Sequence, residues 1–326
     1  MTFWDFPLPP ELIAQAPAQP RDHCRLMVVH RERGTLEHRR FFEIGEYLNP
    51  GDVLVLNDTR VLPARLVGRK KATGGRVEVL LLRQEGEEWE ALVGGKGLRP
   101  GVGLVFPGGL EGEVVGGENG TRRVRFSREP RLDEIGQLPL PPYIKHPLTD
   151  PEDYQTVFSR ELGSLAAPTA GLHFTRGLLG ALEQKGVEIA YITLHLGPGS
   201  FLPFREPHHP PPEFARVSPE VAERLSRAKK EGRRIVAVGT TTARLLEQAA
   251  LPEGFRPFQG QTSLFIRPGH PFLGMDALVT NFHLPRSTHL LLVGAFCGED
   301  LLRRAYQEAV RLGYRFYSFG DGMMVL

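Results

Sequence analysis

Pro50-Gly51-Asp52-Val53-Leu54-Val55-Leu56-Asn57-Asp58-Thr59-Arg60 carries the decision about the fold. Four apolar residues run unbroken between a Pro-Gly reset and a polar cluster. That is the pattern of a strand covered on both faces, since a half-exposed strand would alternate. Such strands belong to α/β layers, and ligands gather where polar residues leave their carboxyl ends. Upstream, Arg25 to His30 reads as a strand, Arg33-Gly34 as a tight turn and Phe41 to Leu48 as a short helix.

Beyond Val67 the character changes. Short runs such as Val77 to Leu82, Glu88 to Val93, Val102 to Phe106 and Val124 to Phe126 alternate with glycine-rich turns, which suits a small all-β barrel. The proline-stiffened Leu138 to Ile144 leads out of it, and helices and strands alternate from there on. Asp150-Pro151 and Ser218-Pro219 open helices as N-cap plus proline, Thr175 opens another that Gly186 closes, and Ser287 caps one that runs to Cys297. Strands are expected at Val187 to Leu196, at Ile235 to Val238 and, last in the chain, at Arg315 to Phe319. The expected architecture is α/β: a mixed-sheet main domain of residues 1–66 plus 139–326, with a small antiparallel β-barrel inserted at 67–138.

Hydrophobic residues make up 41% and charged residues 24%, the ordinary globular range, which argues against fibrous or disordered classes. No apolar run approaches the roughly 20 residues a bilayer requires, so no membrane association is expected. Met1 to Pro10 is acidic and broken by prolines, unlike a secretory signal, and the expected location is the cytoplasm. Only Cys24 and Cys297 occur, too few for an iron–sulfur cluster or a cysteine zinc site, and no metal is expected. Lys plus Arg exceeds Asp plus Glu by 40 − 38 = 2, but the surplus is local. Arg60, Arg65, Arg69, Lys70, Lys71 and Arg76 follow one another without an acidic residue between them, and Arg122, Arg123, Arg125, Arg128 and Arg131 come later. Read alone, these are solvated strand faces; read with the clusters below, Arg65, Arg69, Lys70 and Lys71 are candidates for gripping RNA phosphates.

Six polar clusters fall where strands end or helices begin. They are Asn57-Asp58-Thr59-Arg60-Val61, Pro168-Thr169-Ala170-Gly171-Leu172-His173-Phe174, Leu194 to Phe201 (LHLGPGSF), Val238 to Glu247 (VGTTTARLLE), Thr280 to Leu290 (TNFHLPRSTHL) and Tyr317 to Met323 (YSFGDGM). In order and in wording this series resembles the S-adenosylmethionine:tRNA ribosyltransferase-isomerases. Phe6 to Pro9, Arg21 to Leu26 and Leu138 to Ile144 extend the likeness over nearly the whole chain. A single six-residue match is weak, but six in register are specific.

The resemblance implies a reaction in which S-adenosylmethionine, a cosubstrate and not a cofactor, donates its ribose. The acceptor is the aminomethyl group of 7-aminomethyl-7-deazaguanine at the tRNA wobble position. Epoxyqueuosine is the product, adenine and methionine leave, no metal or redox cofactor takes part, and a monomer is expected. Such chemistry requires a base at the sugar carbon beside the sulfonium, an acid for the departing adenine, and aromatic surface for both.

His173, His195 and His283 titrate near neutrality, and with Asp58 they are the candidate catalytic groups. Any one of the histidines, taken alone, is equally a hydrogen-bonded turn residue. Arg60 and Thr59, at the end of the buried strand, are candidates for the substrate's charged end. The turn glycines Gly171, Gly197 and Gly199 are expected to admit the ligand, while Phe174, Phe201 and Tyr317 offer ring faces. Thr240 and Thr241 open a helix, and Asn281 and Asp321 complete the expected binding set; a routine cap and a turn aspartate are the bland readings of Thr240 and Asp321. A conventional methyltransferase is the competing enzyme class, but no G-x-G fingerprint follows the early strand. A non-catalytic RNA-binding protein is the other, and it has no use for so many proton-handling side chains.

Overall fold

The computed structural model describes residues 5–117, 120–200 and 211–326, and the chain divides into two compact units, Met1–Arg60 with Pro142–Leu326, and Val61–Pro141. The first unit opens with the hairpin β1 (Arg25–His30) and β2 (Thr35–Arg40), a 3-10 segment at Phe41–Tyr47, and β3 (Val53–Asn57), after which β4 (Thr59–Val61) leads out. All five β3 residues are buried, as the unbroken apolar run requires, and each fully buried Val or Leu contributes about 1.5–3 kcal/mol.

The second unit holds β5 (Arg65–Lys70), β6 (Arg76–Glu85), β7 (Glu88–Gly94), β8 (Gly103–Val105), β9 (Glu111–Gly116), β10 (Arg122–Phe126), the single turn α1 (Leu132–Ile135) and β11 (Gly136–Gln137). Its strand order is β11-β5-β6-β7-β10-β9-β8, and β8 pairs back onto β5, closing six antiparallel strands into a barrel. Leu66, Val79, Leu81, Leu104, Val114 and Val124 fill it. At Gly68 a Cβ would stand 2.5 Å from the Phe106 ring, so the wall closes only over glycine there. A cut at 66/67, where the sequence places the boundary, falls inside β5.

The first unit resumes with β12 (Glu161–Ser164), α2 (Arg176–Gln184), β13 (Glu188–Leu194), β14 (Glu213–Val217), α3 (Pro219–Lys230), β15 (Ile235–Val238) and α4 (Thr240–Ala249). There follow the hairpin β16 (Ala250–Leu251) and β17 (Gly254–Phe255), then β18 (Phe258–Thr262), β19 (Ala277–Asn281), α5 (Thr288–Cys297), α6 (Glu299–Arg311) and β20 (Gly322–Val325). Nine strands form one mixed sheet in the order β18-β14-β13-β3-β15-β19-β20-β1-β2. The helix starts follow their caps: Thr175 Oγ1 accepts from Leu178 N at 3.1 Å and Ser218 Oγ from Val221 N at 3.2 Å. Val221, Ala222, Leu225 and Ala228 put one apolar face of α3 against the sheet, whereas α5 is apolar nearly all round and buried accordingly.

One expected element is absent. Arg315 to Phe319 is a turn, and the last strand is β20, a few residues later. Phe316 and Phe319, from the short aromatic-rich run that reads as a strand, instead enter the core from a bend. Asp321 closes that bend by accepting from Arg315 N at 2.7 Å. Gly320 permits it, because a Cβ there would meet the Arg315 carbonyl oxygen at 2.5 Å.

Candidate active site

The parallel strands β13, β3, β15 and β19 deliver Leu194, Asn57, Val238 and Asn281 to one edge of the sheet. There β20 and β1 begin, with Asp321 and Arg25. From β3 the chain crosses to β13 through α2, packed on the face that holds Phe41 and Phe174; from β15 it crosses to β19 through α4, on the opposite face. Crossovers that part in this way make the carboxyl ends of β3 and β15 a switch point, the place where doubly wound sheets hold a ligand crevice.

Asn57 ties the mouth of that crevice together. Its Nδ2 donates to Leu194 O at 3.0 Å and to Thr241 Oγ1 at 3.4 Å, while its Oδ1 accepts from Leu194 N at 3.0 Å and Thr59 N at 3.2 Å. Thr59 Oγ1 lies 2.7 Å from His195 Nδ1, and the imidazole stacks on Phe214 with ring centres 5.4 Å apart. Partial burial lowers the His195 pKa, and the carboxylates of Asp58 and Glu161 oppose that shift. His195 Nε2 has no partner among the described residues, and a Cβ on Gly163 would stand 2.6 Å from it. Asp58, 2% exposed, accepts from Thr193 Oγ1 at 2.7 Å and from Arg160 Nε at 2.8 Å. With Arg160, Tyr191, Thr193, Arg216 and Ser218 it lines a cavity of about 560 Å³.

His173 comes to the same edge but with both ring nitrogens engaged, 3.3 Å from Cys24 Sγ and 3.1 Å from Asn281 Nδ2. Burial, and then the charge of Arg315, push its pKa down to about 3. His283 bonds Thr280 Oγ1 through Nε2 at 2.7 Å and stacks on His289 at 4.8 Å. Enclosure holds its pKa well below the ordinary histidine value, with the neighbouring His289 adding to the shift.

The remaining expected residues divide. Thr240 and Thr241 are buried in the first turn of α4, whose cap Gly239 brings no side chain, so the turn's amides face the edge without a side-chain acceptor. A Cβ on Gly171 would stand 2.8 Å from the Phe158 ring, and one on Gly199 would stand 3.1 Å from the Pro211 ring. Arg60 is held by Ser159 Oγ at 3.0 Å and by the Glu152 carboxylate. Asp321, 1% exposed, accepts from Arg25 N at 2.9 Å and Nε at 3.2 Å as well as from Arg315 N, which makes it a turn-closing residue. Phe174 is fully buried with its ring edge-on to Phe41 at 5.0 Å, a core residue that offers no open face. Phe201 lies outside the described residues. In the barrel, Arg65 pairs with Glu78 and Lys71 with Glu111, while Arg69 and Lys70 donate to the carbonyls of Gly74 and Lys96.

One pair escapes a reading by motif. Glu213, 8% exposed, accepts from Gly197 N at 2.9 Å through one oxygen and from Arg244 Nη1 at 2.7 Å through the other, so it clamps the glycine turn to α4. Nothing in the spacing of a lone Glu and a lone Arg announces this.

A mixed α/β sheet with histidine, asparagine and backbone amide groups at its switch point, and a closed antiparallel barrel inserted, defines the class: an α/β protein with an inserted barrel. The queuosine biosynthesis protein model matches residues 1–325, and the chain belongs to that family. It is 54% identical to the S-adenosylmethionine:tRNA ribosyltransferase-isomerase of Symbiobacterium thermophilum, covering 99% of this chain and 98% of the relative. The protein of the same name from Moorella thermoacetica is 50% identical over the same shares. Among solved structures, S-adenosylmethionine tRNA ribosyltransferase from Thermotoga maritima is 42% identical, with a TM-score of 0.60 and full coverage of both chains.

Proposed function

We propose that this chain transfers and isomerises the ribosyl group of S-adenosylmethionine onto the aminomethyl group of 7-aminomethyl-7-deazaguanine at the tRNA wobble position, giving epoxyqueuosine and releasing adenine and methionine. The observation that carries the reading is the convergence of separated motif segments on one sheet edge, in a chain of this family. The conversion is redox-neutral overall, so its steps are proton transfers and changes in carbon–nitrogen, carbon–oxygen, carbon–sulfur and carbon–carbon bonds, for which side chains supply the proton donors and acceptors.

The positive sulfur acidifies the ribose 5′ carbon, and His195 is the base that fits best, neutral near pH 7 with Nε2 unengaged. Thr59 orients its ring, and the Asp58 carboxylate favours the imidazolium that forms on proton uptake. His283 and His173 complete the histidine set, the latter with no ring nitrogen left for a substrate. Loss of adenine with its bonding electrons and a proton opens the sugar to a carbonyl, and the acceptor amine adds and gives up a proton. The ylide carbon then attacks that carbonyl, closing the cyclopentane through a new carbon–carbon bond, and the alkoxide so formed displaces methionine and closes the epoxide. Arg60, the amides opening α4 and the turn Gly197–Gly199 surround the space for the cosubstrate's polar ends. The barrel's Arg65, Arg69, Lys70 and Lys71 grip tRNA phosphates, Arg65 and Lys71 exchanging ion pairs that are each worth less than about 1 kcal/mol and Arg69 and Lys70 exchanging bonds to backbone carbonyls. The wobble base is splayed out of its stack to reach the crevice. No helix among the described residues is long and apolar enough to cross a membrane, and action in the cytoplasm as a monomer completes the proposal.

Purified protein incubated with S-adenosylmethionine and tRNA bearing the aminomethyl base is expected to yield adenine, methionine and modified nucleoside in equal amounts. S-adenosylhomocysteine in their place would establish methyl transfer and end this reading.

A further inference from the structure

His173, Cys24 and Asn281 form a chain of contacts for which the reaction above has no direct use. Asn281 Nδ2 donates to the Tyr317 carbonyl at 3.0 Å, and since a carbonyl only accepts, the orientation of the amide is settled. The same Nδ2 lies 3.1 Å from His173 Nε2, which must therefore be the bare, accepting nitrogen. The ring proton sits on Nδ1, 3.3 Å from Cys24 Sγ. Asn281 Oδ1 in turn accepts from Thr169 Oγ1 at 3.0 Å. The ring is 4% exposed, so His173 holds a partner in place and does not meet a substrate.

What it holds is Tyr317. This residue has φ +75°, a left-handed conformation that costs a bulky side chain about 1–3 kcal/mol and that tends to persist at functional sites. Its N–H donates to Phe282 O at 2.9 Å, and its carbonyl accepts from Gly320 N at 2.9 Å besides Asn281. Its ring lies against Tyr143 with centres 4.1 Å apart, and the Tyr143 hydroxyl is fixed on Ser318 Oγ at 2.6 Å. The Tyr317 hydroxyl has no hydrogen-bond partner among the described residues. Both rings are half-buried and belong to the segments that bound the sheet edge where the crevice lies.

Accepting the functional reading above, we propose that Tyr317 donates a hydrogen bond to the purine of bound S-adenosylmethionine, and that His173, acting through Asn281, is the positioning residue that keeps it there. The Tyr317 ring, backed by the Tyr143 ring tilted 44° to it, offers aromatic surface for a purine to pack on. Burial raises the Tyr317 pKa, so its hydroxyl stays protonated and donates. A departing purine gains negative charge as its bond to the sugar breaks, so a donor at its ring nitrogen binds more tightly in the transition state than before it.

Tyr317→Phe removes only the hydroxyl, and kcat for adenine release is expected to fall about 10²-fold, the usual loss for one such donor, with KM for tRNA unchanged. His173→Phe, which leaves Asn281 without its acceptor, is expected to cost a similar factor. The double variant should be no slower than the worse single one, because both act on the same contact. His173→Gln offers an accepting oxygen in nearly the same place and should recover most of the rate. Independently of turnover, nitrogen-15 shifts of the His173 ring should report a proton on Nδ1 and a bare Nε2. A Tyr317→Phe enzyme within about threefold of wild type, or losses that multiply in the double variant, would overturn the assignment. A proton on Nε2 would overturn the relay. Wild-type protein that releases no adenine would refute the functional reading and the purine assignment together, while the ring shifts judge the relay separately.

Discussion

Acidification from pH 8 to pH 5 tests whether His173 is held neutral inside the fold. Its pKa is pushed from 6.5 down to about 3 by burial. At pH 5 an unfolded chain therefore binds a proton on this ring that the folded chain refuses. Stability from this group is complete above pH 6.5 and drains away as pH falls toward 3. The difference in protons bound, integrated from pH 8 to 5, amounts to about 2 kcal/mol. His173→Gln removes the titration while keeping an acceptor for Asn281. Other histidines contribute equally to both proteins and cancel in the comparison. Urea denaturation of wild type and variant, each at pH 8 and pH 5, should show the stability gap moving by about 2 kcal/mol in the variant's favour on acidification, equivalent to roughly 4–8 °C in Tm for a unit of this size. A gap that stays constant across the two pH values would refute the reasoning, because it would mean that the folded ring takes up its proton as freely as the unfolded one.

Three further outcomes are expected. Gly163→Ala places a methyl group 2.6 Å from the His195 Nε2 position, so adenine release should drop about 10²-fold, the lower range for a displaced base. An unchanged rate would remove His195 from proton transfer. Wild-type kcat/KM should be flat above pH 6.5 and fall below it, since a base must be unprotonated and the His195 pKa lies under the usual value; an acid limb centred above pH 7 contradicts this. Glu213→Gln breaks a largely buried ion pair and should destabilise the α/β unit by about 2–4 kcal/mol while speeding amide exchange at Gly197, and slow exchange there in the variant would show that the clamp is held by other groups.

Much of the fold was legible because its signals are local. The unbroken Val53 to Leu56 marked a central strand, Thr175 and Ser218 marked helix starts to the residue, and the glycine-punctuated middle marked an antiparallel barrel. The exception, Arg315 to Phe319, failed because a short aromatic-rich run reads alike whether its rings enter a core from a strand or from a bend, and the bend is closed by Asp321 from outside the segment. The polar clusters come together at one sheet edge because strand ends carry polar residues for a topological reason. The partners within that edge were hidden: Cys24 and His173 are 149 residues apart and Glu213 and Arg244 are 31 apart, with no spacing rule to join them. Phe174 misled for the opposite reason, since a ring beside a catalytic-looking histidine packs into the core as readily as it faces a ligand.

The closed ring of strands in the second unit has a bearing on how a chain can carry an insertion at all. With β8 covering one end of β5 and the two-residue β11 the other, the long strands of the described barrel present little bare backbone flank to recruit a stray peptide or a second copy, the hazard that open sheets meet with charges or bulges. A closed wall of this kind meets its partners chiefly through side chains and loop tips, and such a surface can change its letters while the scaffold beneath stays as it is.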